Sequence, residues 1–266
     1  MQILLRINKK ILELDPNILI NILQENDSKK IIKGFELVID IDNFQNTDYV
    51  DEILPLIKYY DYVLQFQTLP FQEIDIQRRY LDYYAEIANK LNRNIQVTFQ
   101  SIVGYDLDGN IRETDKVMHE LLKHVKENEY NLTLCLANWN TTPRFITVDK
   151  DDMDVVFERN SSLKFAYDLG REIASFGGIT DLSEEMANKI STVKIHSFDE
   201  SDIHRVLYFK DQNKQLWVKG LLYLKSLKYE GPIVLEYSIA QFDGNTLEER
   251  VNNYIKSASI VNDYVN

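Results

Sequence analysis

The chain has 266 residues, with 30 Lys plus Arg against 42 Asp plus Glu, and therefore a formal net charge of −12. Hydrophobic residues make up 44% of it and Gly and Pro number only 9 and 5, which excludes a disordered chain. The negative net charge and the absence of a Lys/Arg-rich stripe disfavour a nucleic-acid partner, because a protein that binds a duplex must neutralise its phosphates. The length accommodates two ordinary domains or one large barrel.

The single cysteine, Cys135, lies inside an apolar run, where we expect a small buried side chain. One cysteine excludes an intramolecular disulfide and is compatible with a reducing compartment. The first residues lack the pattern of a secretory signal, and no run approaches the roughly 20 apolar residues of a membrane span. We expect a cytoplasmic protein without a membrane partner.

In chain order, short apolar runs alternate with longer amphipathic stretches. Asp15-Pro16 is typical of a helix start, with Asp15 as the N-cap. A polar loop at Asp108-Gly109-Asn110 is predicted before the fourth helix. The predicted strands lie at about 3–7, 35–41, 62–66, 95–99, 132–136, 163–167, 190–195 and 233–235. The predicted helices lie at about 16–24, 48–59, 74–91, 113–127, 149–159, 183–189, 212–227 and 246–264.

About eight strand–helix units in a chain of this size predict a (β/α)8 TIM barrel, an α/β fold, as a single domain over residues 1–266. Near-continuous apolar strands suit a parallel sheet buried on both faces. A doubly wound open sheet is the alternative, disfavoured because no Gly-rich phosphate loop follows the first strand. A two-domain division near residues 105–112 conflicts with the unbroken alternation.

Three polar residues directly follow predicted strands. Because the active site of a TIM barrel lies at the carboxyl ends of its strands, Asp168, His196 and Glu236 are expected at one rim. Two carboxylates and an imidazole can bind a divalent metal, which would polarise a carbonyl oxygen of a substrate. The alternative is that these side chains only form hydrogen bonds to loops.

Other polar or aromatic side chains near the strand ends are candidates for substrate binding. Trp139 would stack on a sugar ring or pack within its loop, and Arg171 would hold an anionic group. His204 lies in a loop that would overhang the site. The substrate-binding candidates are Gln67, Gln100, Asn138, Trp139, Arg171 and His204, and Asp40, Asp42, Asn140 and Asp199 are further polar residues at strand ends.

Several segments resemble the xylose isomerase-like TIM barrels. This superfamily includes sugar-phosphate isomerases and epimerases, inosose dehydratase-like proteins and endonuclease IV. The segment at residues 34–38 resembles its second-strand entry, and the segment at 163–170 resembles its sixth strand, which ends in Asp. The most specific segments are TVKIHSFD at residues 192–199 and GPIVLEY at 231–237, which are similar to the seventh and eighth strands.

The resemblance implies a divalent metal (Mn, Co, Mg or Zn) held by Asp168, His196 and Glu236, with Glu236 also the catalytic base. The chain departs from the family pattern. The fifth-strand Glu of the family falls on Ala137, and a His expected after the sixth-strand Asp falls on Arg171. The histidines of the third and fourth strands fall on or near Gln67 and Gln100. The resemblance therefore implies a degenerate metal site.

Two functions remain open from the sequence. The first is a metal-dependent isomerase or epimerase of a small sugar or polyol, in which Glu236, or Asp40 as a substitute, transfers the proton. The second is a catalytically degenerate barrel that binds a sugar-like ligand or a protein partner. An endonuclease IV-type nuclease is disfavoured by the missing histidines and the net charge. The sequence leaves the substrate, the native metal and the oligomeric state open.

Overall fold

The computed structural model describes residues 1–8, 10–27, 30–39, 47–69, 73–104, 106–139, 146–148, 150, 152–198, 204–207 and 213–265. Asp40, Asp42, Asn140 and Asp199 lie outside the described residues.

A closed barrel of parallel strands forms the centre of the molecule, which confirms the predicted TIM barrel. The strands are β1 (Gln2–Ile7), β2 (Ile32–Val38), β3 (Val63–Gln67), β4 (Ile95–Gln100), β5 (Val103–Gly104), β6 (Leu132–Ala137), β7 (Ile146–Thr147), β8 (Lys164–Asp168), β9 (Ile190–Ile195) and β10 (Pro232–Leu235). The strand order around the barrel is β1-β10-β9-β8-β6-β4-β3-β2. The short strands β5 and β7 pair antiparallel outside it.

Helices connect the barrel strands. Within the described residues they are α1 (Pro16–Asn26), α2 (Thr47–Tyr59), α3 (Ile74–Leu91), α4 (Leu107–Glu127), α5 (Asp154–Arg159), α6 (Leu169–Phe176), α7 (Glu184–Lys189), α8 (Lys214–Ser226) and α9 (Leu247–Val265). None of these helices combines the length and the apolar composition that a bilayer span requires.

The eight predicted strands agree with the barrel strands to within three residues at each end. The predicted loop at Asp108-Gly109-Asn110 is wrong, because α4 begins at Leu107. The Asp106 side chain caps this helix by accepting a hydrogen bond from the Gly109 amide at 3.0 Å. Helix α6 was not predicted, and its N-cap is Asp168.

The apolar core lies mainly between the barrel and its helices, as where Phe66 of β3 stacks on Tyr84 of α3. The barrel interior is polar instead. Side chains from non-neighbouring strands meet there, for example Gln65 of β3 and Thr192 of β9 at 3.2 Å. This contrasts with the branched apolar residues that usually fill a TIM barrel. A polar interior beneath the rim suggests that the barrel supports a site with charged groups.

Cys135 is buried in the small cluster with Ala137 and Ala166. Burial raises the pKa of its thiol to about 12, although a hydrogen bond to Ser191 acts in the opposite direction. The thiol is therefore protonated near neutral pH, in agreement with a structural side chain.

Candidate functional site at the barrel rim

The structure brings the sequence-predicted site residues to the carboxyl ends of the strands. Asp168 is the last residue of β8, and His196 and Glu236 directly follow β9 and β10. Gln67 and Gln100 end β3 and β4, and Asn138 and Trp139 follow β6. We call this end of the barrel the rim.

Asp168 is engaged on both carboxylate oxygens. Its Oδ1 accepts from the Arg171 amide at 2.9 Å and lies 3.2 Å from His196 Nε2, and its Oδ2 accepts from Arg171 Nε at 2.9 Å. The Asp168 backbone is also fixed, because its amide and carbonyl bond reciprocally with the Asn138 side chain at 2.7 and 3.1 Å. The Asp168 side chain thus caps α6 and pairs with Arg171, while the Asn138 side chain fixes the Asp168 backbone.

His196 faces hydrogen-bond acceptors with both ring nitrogens. Nε2 lies against the Asp168 carboxylate, and Nδ1 lies 3.2 Å from the Ser197 carbonyl oxygen. Both ring nitrogens therefore lie close to oxygen atoms of the chain.

Arg171 and Trp139 contact each other directly. The guanidinium carbon of Arg171 lies 3.8 Å from the centre of the indole ring, at the distance of a cation–π contact. One face of the Trp139 ring is therefore covered by Arg171. The Arg171 side chain itself is only 5% exposed and points its Nε to Asp168.

Glu236 is the second centre of charge at the rim. Its carboxylate pairs with the Arg6 guanidinium, and Oε1 also lies 2.9 Å from His204 Nε2. Its Oε2 lies 3.6 Å from Lys194 Nζ, beyond hydrogen-bond distance. The His204 ring lies against that of His196, with centroids 5.1 Å apart, so the two clusters adjoin.

Lys194 connects the rim to the barrel interior. Its Nζ lies 2.9 Å from Glu36 Oε1 and donates to Gln67 Oε1. Glu36 also accepts from Gln65 Nε2 at 2.9 Å. Gln67 was expected to bind substrate, and the structure places its side-chain oxygen on this lysine.

Three residues of this network, Arg6, Glu36 and Lys194, are not among the site residues predicted from the sequence. A signal for them was present, because each is a polar residue inside a strand that should be buried on both faces. Side chains alternate along a strand, so Lys194 and His196 share a face. A charged residue at an inward position needs a partner, and several such residues together predict a network inside the barrel.

Burial by itself would raise the pKa of both rim carboxyl groups. For Glu236 the charges of Arg6 and Lys194, together with His204, outweigh burial and hold the pKa well below its usual value. For Asp168 the charge and hydrogen bond of His196, and then Arg171, hold the pKa below its usual value, while nearby Glu236 opposes them. Both groups are carboxylates near neutral pH.

Among the residues that the structure describes, the donor set of the rim does not fit a divalent cation in this arrangement. Asp168 and Glu236 already face cationic side chains, and His196 Nε2 lies against the Asp168 carboxylate. The fifth-strand position is Ala137, which supplies no ligand atom. Within the part of the chain that the structure describes, no group of three or more His, Cys, Asp or Glu side chains is arranged to hold a metal ion.

The fold matches several solved sugar epimerases over nearly the whole chain. D-psicose 3-epimerase with D-tagatose from Clostridium cellulolyticum H10 is 13% identical, with a TM-score of 0.70 and coverage of 100% of this chain and 99% of that chain. The 3-keto-D-glucoside 4-epimerase of E. coli is also 13% identical, with a TM-score of 0.68 and 99% coverage of both chains. A sugar phosphate isomerase/epimerase from Parabacteroides distasonis is 12% identical, with a TM-score of 0.63 and coverage of 97% and 92%.

At these identities the likeness establishes the fold. The predicted resemblance to xylose isomerase-like barrels is therefore confirmed at the level of the fold. No protein-family model matches the sequence, and no curated protein matches it.

Proposed function

We propose that the chain binds a small sugar or polyol at the rim and does not isomerise it. The observation that carries the proposal is a pair of buried acceptor atoms. Glu236 Oε2 and Gln100 Oε1 have no hydrogen-bond partner among the described residues. A buried acceptor without a donor costs about 1–3 kcal/mol, which a ligand hydroxyl would relieve.

The other groups of the rim suit the same ligand. A polyol both donates and accepts hydrogen bonds, and the rim offers carboxylate, amide and imidazole groups. His204 contacts Glu236 while its side chain stays 31% exposed, so it can reach both the protein and a ligand. Solved proteins of the same fold that are named as sugar epimerases support a sugar as the ligand class.

The residues expected to bind substrate have different roles under this proposal. Three of them position other residues of the site. Gln67 accepts a hydrogen bond from Lys194, and Asn138 and Arg171 bond to Asp168. Gln100 and Glu236 retain acceptor atoms for a ligand. Trp139 and His204 complete the rim, with Trp139 stacked on Arg171.

Metal-dependent isomerisation, the function that the resemblance implies, is not part of the proposal. It needs a carboxylate base, and a Glu236 whose pKa is held low by Arg6, Lys194 and His204 is a weak one. It also needs carboxylate oxygens that are available to bind a metal. Those of Asp168 and Glu236 are already paired with cationic side chains.

The test is calorimetric titration of the full chain with ketohexoses and their polyols, including D-tagatose, D-psicose and D-fructose. We expect binding of at least one, weakened about tenfold or more in Gln100→Leu, equivalent to about 1.4 kcal/mol. Gln215→Leu, an exposed position on α8, is the matched control and should bind as the wild type does. Absence of binding to every sugar and polyol would contradict the proposal. Deuterium uptake from D2O next to the sugar carbonyl would contradict the binding-only assignment.

A further inference from the structure

Lys194 of β9 places a buried ammonium group between the carboxylates of Glu36 on β2 and Glu236 at the end of β10, two strands that both pair with β1. Its side chain is 2% exposed, and Glu36 and Glu236, which face it, are 0% and 3% exposed. The distances from Nζ are 2.9 Å to Glu36 Oε1 and 3.6 Å to Glu236 Oε2. The Gln67 amide oxygen is the third oxygen on this ammonium.

These surroundings resemble those of a hard divalent cation. Carboxylate and amide oxygens are the ligands that Mg²⁺ and Mn²⁺ favour in proteins. The Lys194 ammonium donates hydrogen bonds to the Glu36 and Gln67 oxygens and faces Glu236 Oε2 as a charge. The oxygen donors that could serve an ion inside the barrel are thus directed at a side chain.

Within the described part of the chain, the Arg, Lys, Asp and Glu charges around Lys194 are balanced. Three cationic side chains, Arg6, Lys194 and Arg171, pair with carboxylates, and those carboxylates are Glu36, Asp168 and Glu236. A divalent ion added here would bring two positive charges into a buried site that already has its counter-charges. Desolvating an ion without surplus negative charge to receive it is unfavourable.

We infer that the Lys194 ammonium is a built-in cation, which neutralises Glu36 and Glu236 in place of a bound divalent metal. The inference concerns the free chain and does not depend on the proposed sugar ligand. The barrel then needs no bound metal for this positive charge, because the charge belongs to the Lys194 side chain.

The experiment removes the charge and offers a metal in its place. Chelator-treated wild type and Lys194→Met are unfolded thermally with and without Mn²⁺. The wild-type Tm should not change with Mn²⁺, because an ion that does not bind the native state does not stabilise it. Lys194→Met should have a lower Tm that Mn²⁺ raises by about 5 °C or more, as the vacated oxygens bind the ion.

Two control variants test whether the rise in Tm with Mn²⁺ is specific to the loss of the Lys194 charge. Lys194→Arg keeps the charge and should not respond to Mn²⁺. Lys150→Met removes another buried lysine, whose Nζ lies 3.7 Å from Glu172 of α6, and it should lose stability without a Mn²⁺ response. A folded Lys194→Met that ignores Mn²⁺ would overturn the inference.

A second measurement decides the question if Lys194→Met does not fold. Electron paramagnetic resonance counts free Mn²⁺ in the presence of wild-type protein. We expect all of the added Mn²⁺ to remain free. One tightly bound Mn²⁺ per wild-type chain would overturn the inference whatever the variant does.

Discussion

Glu236 is the residue on which the nitrogen groups of the rim converge, since Arg6, Lys194 and His204 all face its carboxylate. Glu236→Gln keeps the shape of the side chain and removes its charge, which leaves two buried cations undercompensated. We expect a loss of about 3 kcal/mol in the free energy of unfolding, typical of breaking a buried ion pair from one side. Urea denaturation of both proteins measures it.

Asp61→Asn is the matched control for this prediction. It removes the same charge from an exposed pair, in which Asp61 lies 2.7 Å from Arg93 and is 87% exposed. A surface pair contributes at most about 1 kcal/mol. Equal losses in the two variants would mean that the Glu236 network is not a stabilising feature of the fold.

The lowered pKa of Glu236 also predicts how stability depends on pH. Above the unfolded-state pKa of about 4.3 both states carry the charge, and the stabilisation is fully present. As the pH falls below that value the unfolded state binds the proton first, so the stabilisation is progressively lost. Between about pH 5 and pH 3 the wild type should therefore lose more stability than Glu236→Gln. Parallel curves for the two proteins over this interval would exclude a depressed pKa at Glu236.

At the scale of secondary structure, apolar runs predicted the barrel strands because a strand buried on both faces is apolar along most of its length. Helix α6 escaped prediction because it follows β8 without a loop and has Gly170 in its first turn. The rim carboxylates were predictable from their place after the strands. The pairing of Glu236 with Arg6 and Lys194 was not predictable, because it depends on which side chains the strand register points inward across the barrel.

Helix α6 approaches the rim closely at Gly170. A Cβ atom at this position would lie 2.5 Å from atoms of the His196 ring, so only glycine allows this contact. Gly170→Ala should displace His196 from Asp168 and cost about 1–3 kcal/mol of stability, as overpacking does. Chemical denaturation and the chemical shifts of the His196 ring measure the two effects.

Gly178→Ala is the control for the contact at Gly170, because a Cβ atom there meets nothing within 4 Å. It should leave both stability and the His196 resonances close to those of the wild type. An unchanged His196 environment in Gly170→Ala would show that the helix does not fix this ring.

For the whole molecule, the net charge of −12 should prevent association with polyanions. We expect no binding of duplex DNA at physiological salt, because the electrostatic part of such binding needs an excess of Lys and Arg on one face. Fluorescence anisotropy of a labelled duplex measures it. Salt-sensitive binding by the wild type would show a basic surface and reopen the nuclease function that the sequence disfavours.

We infer that side-chain cations of the barrel take the place of a metal at its rim. Anomalous X-ray scattering from crystals of the wild type grown with excess Mn²⁺ tests this inference. We predict no anomalous peak among Asp168, His196, Glu236 and Glu36, with Lys194 Nζ between its carboxylates. A peak within about 2.0–2.3 Å of Asp168, His196 and Glu236 would show a metal bound at the rim and contradict the inference.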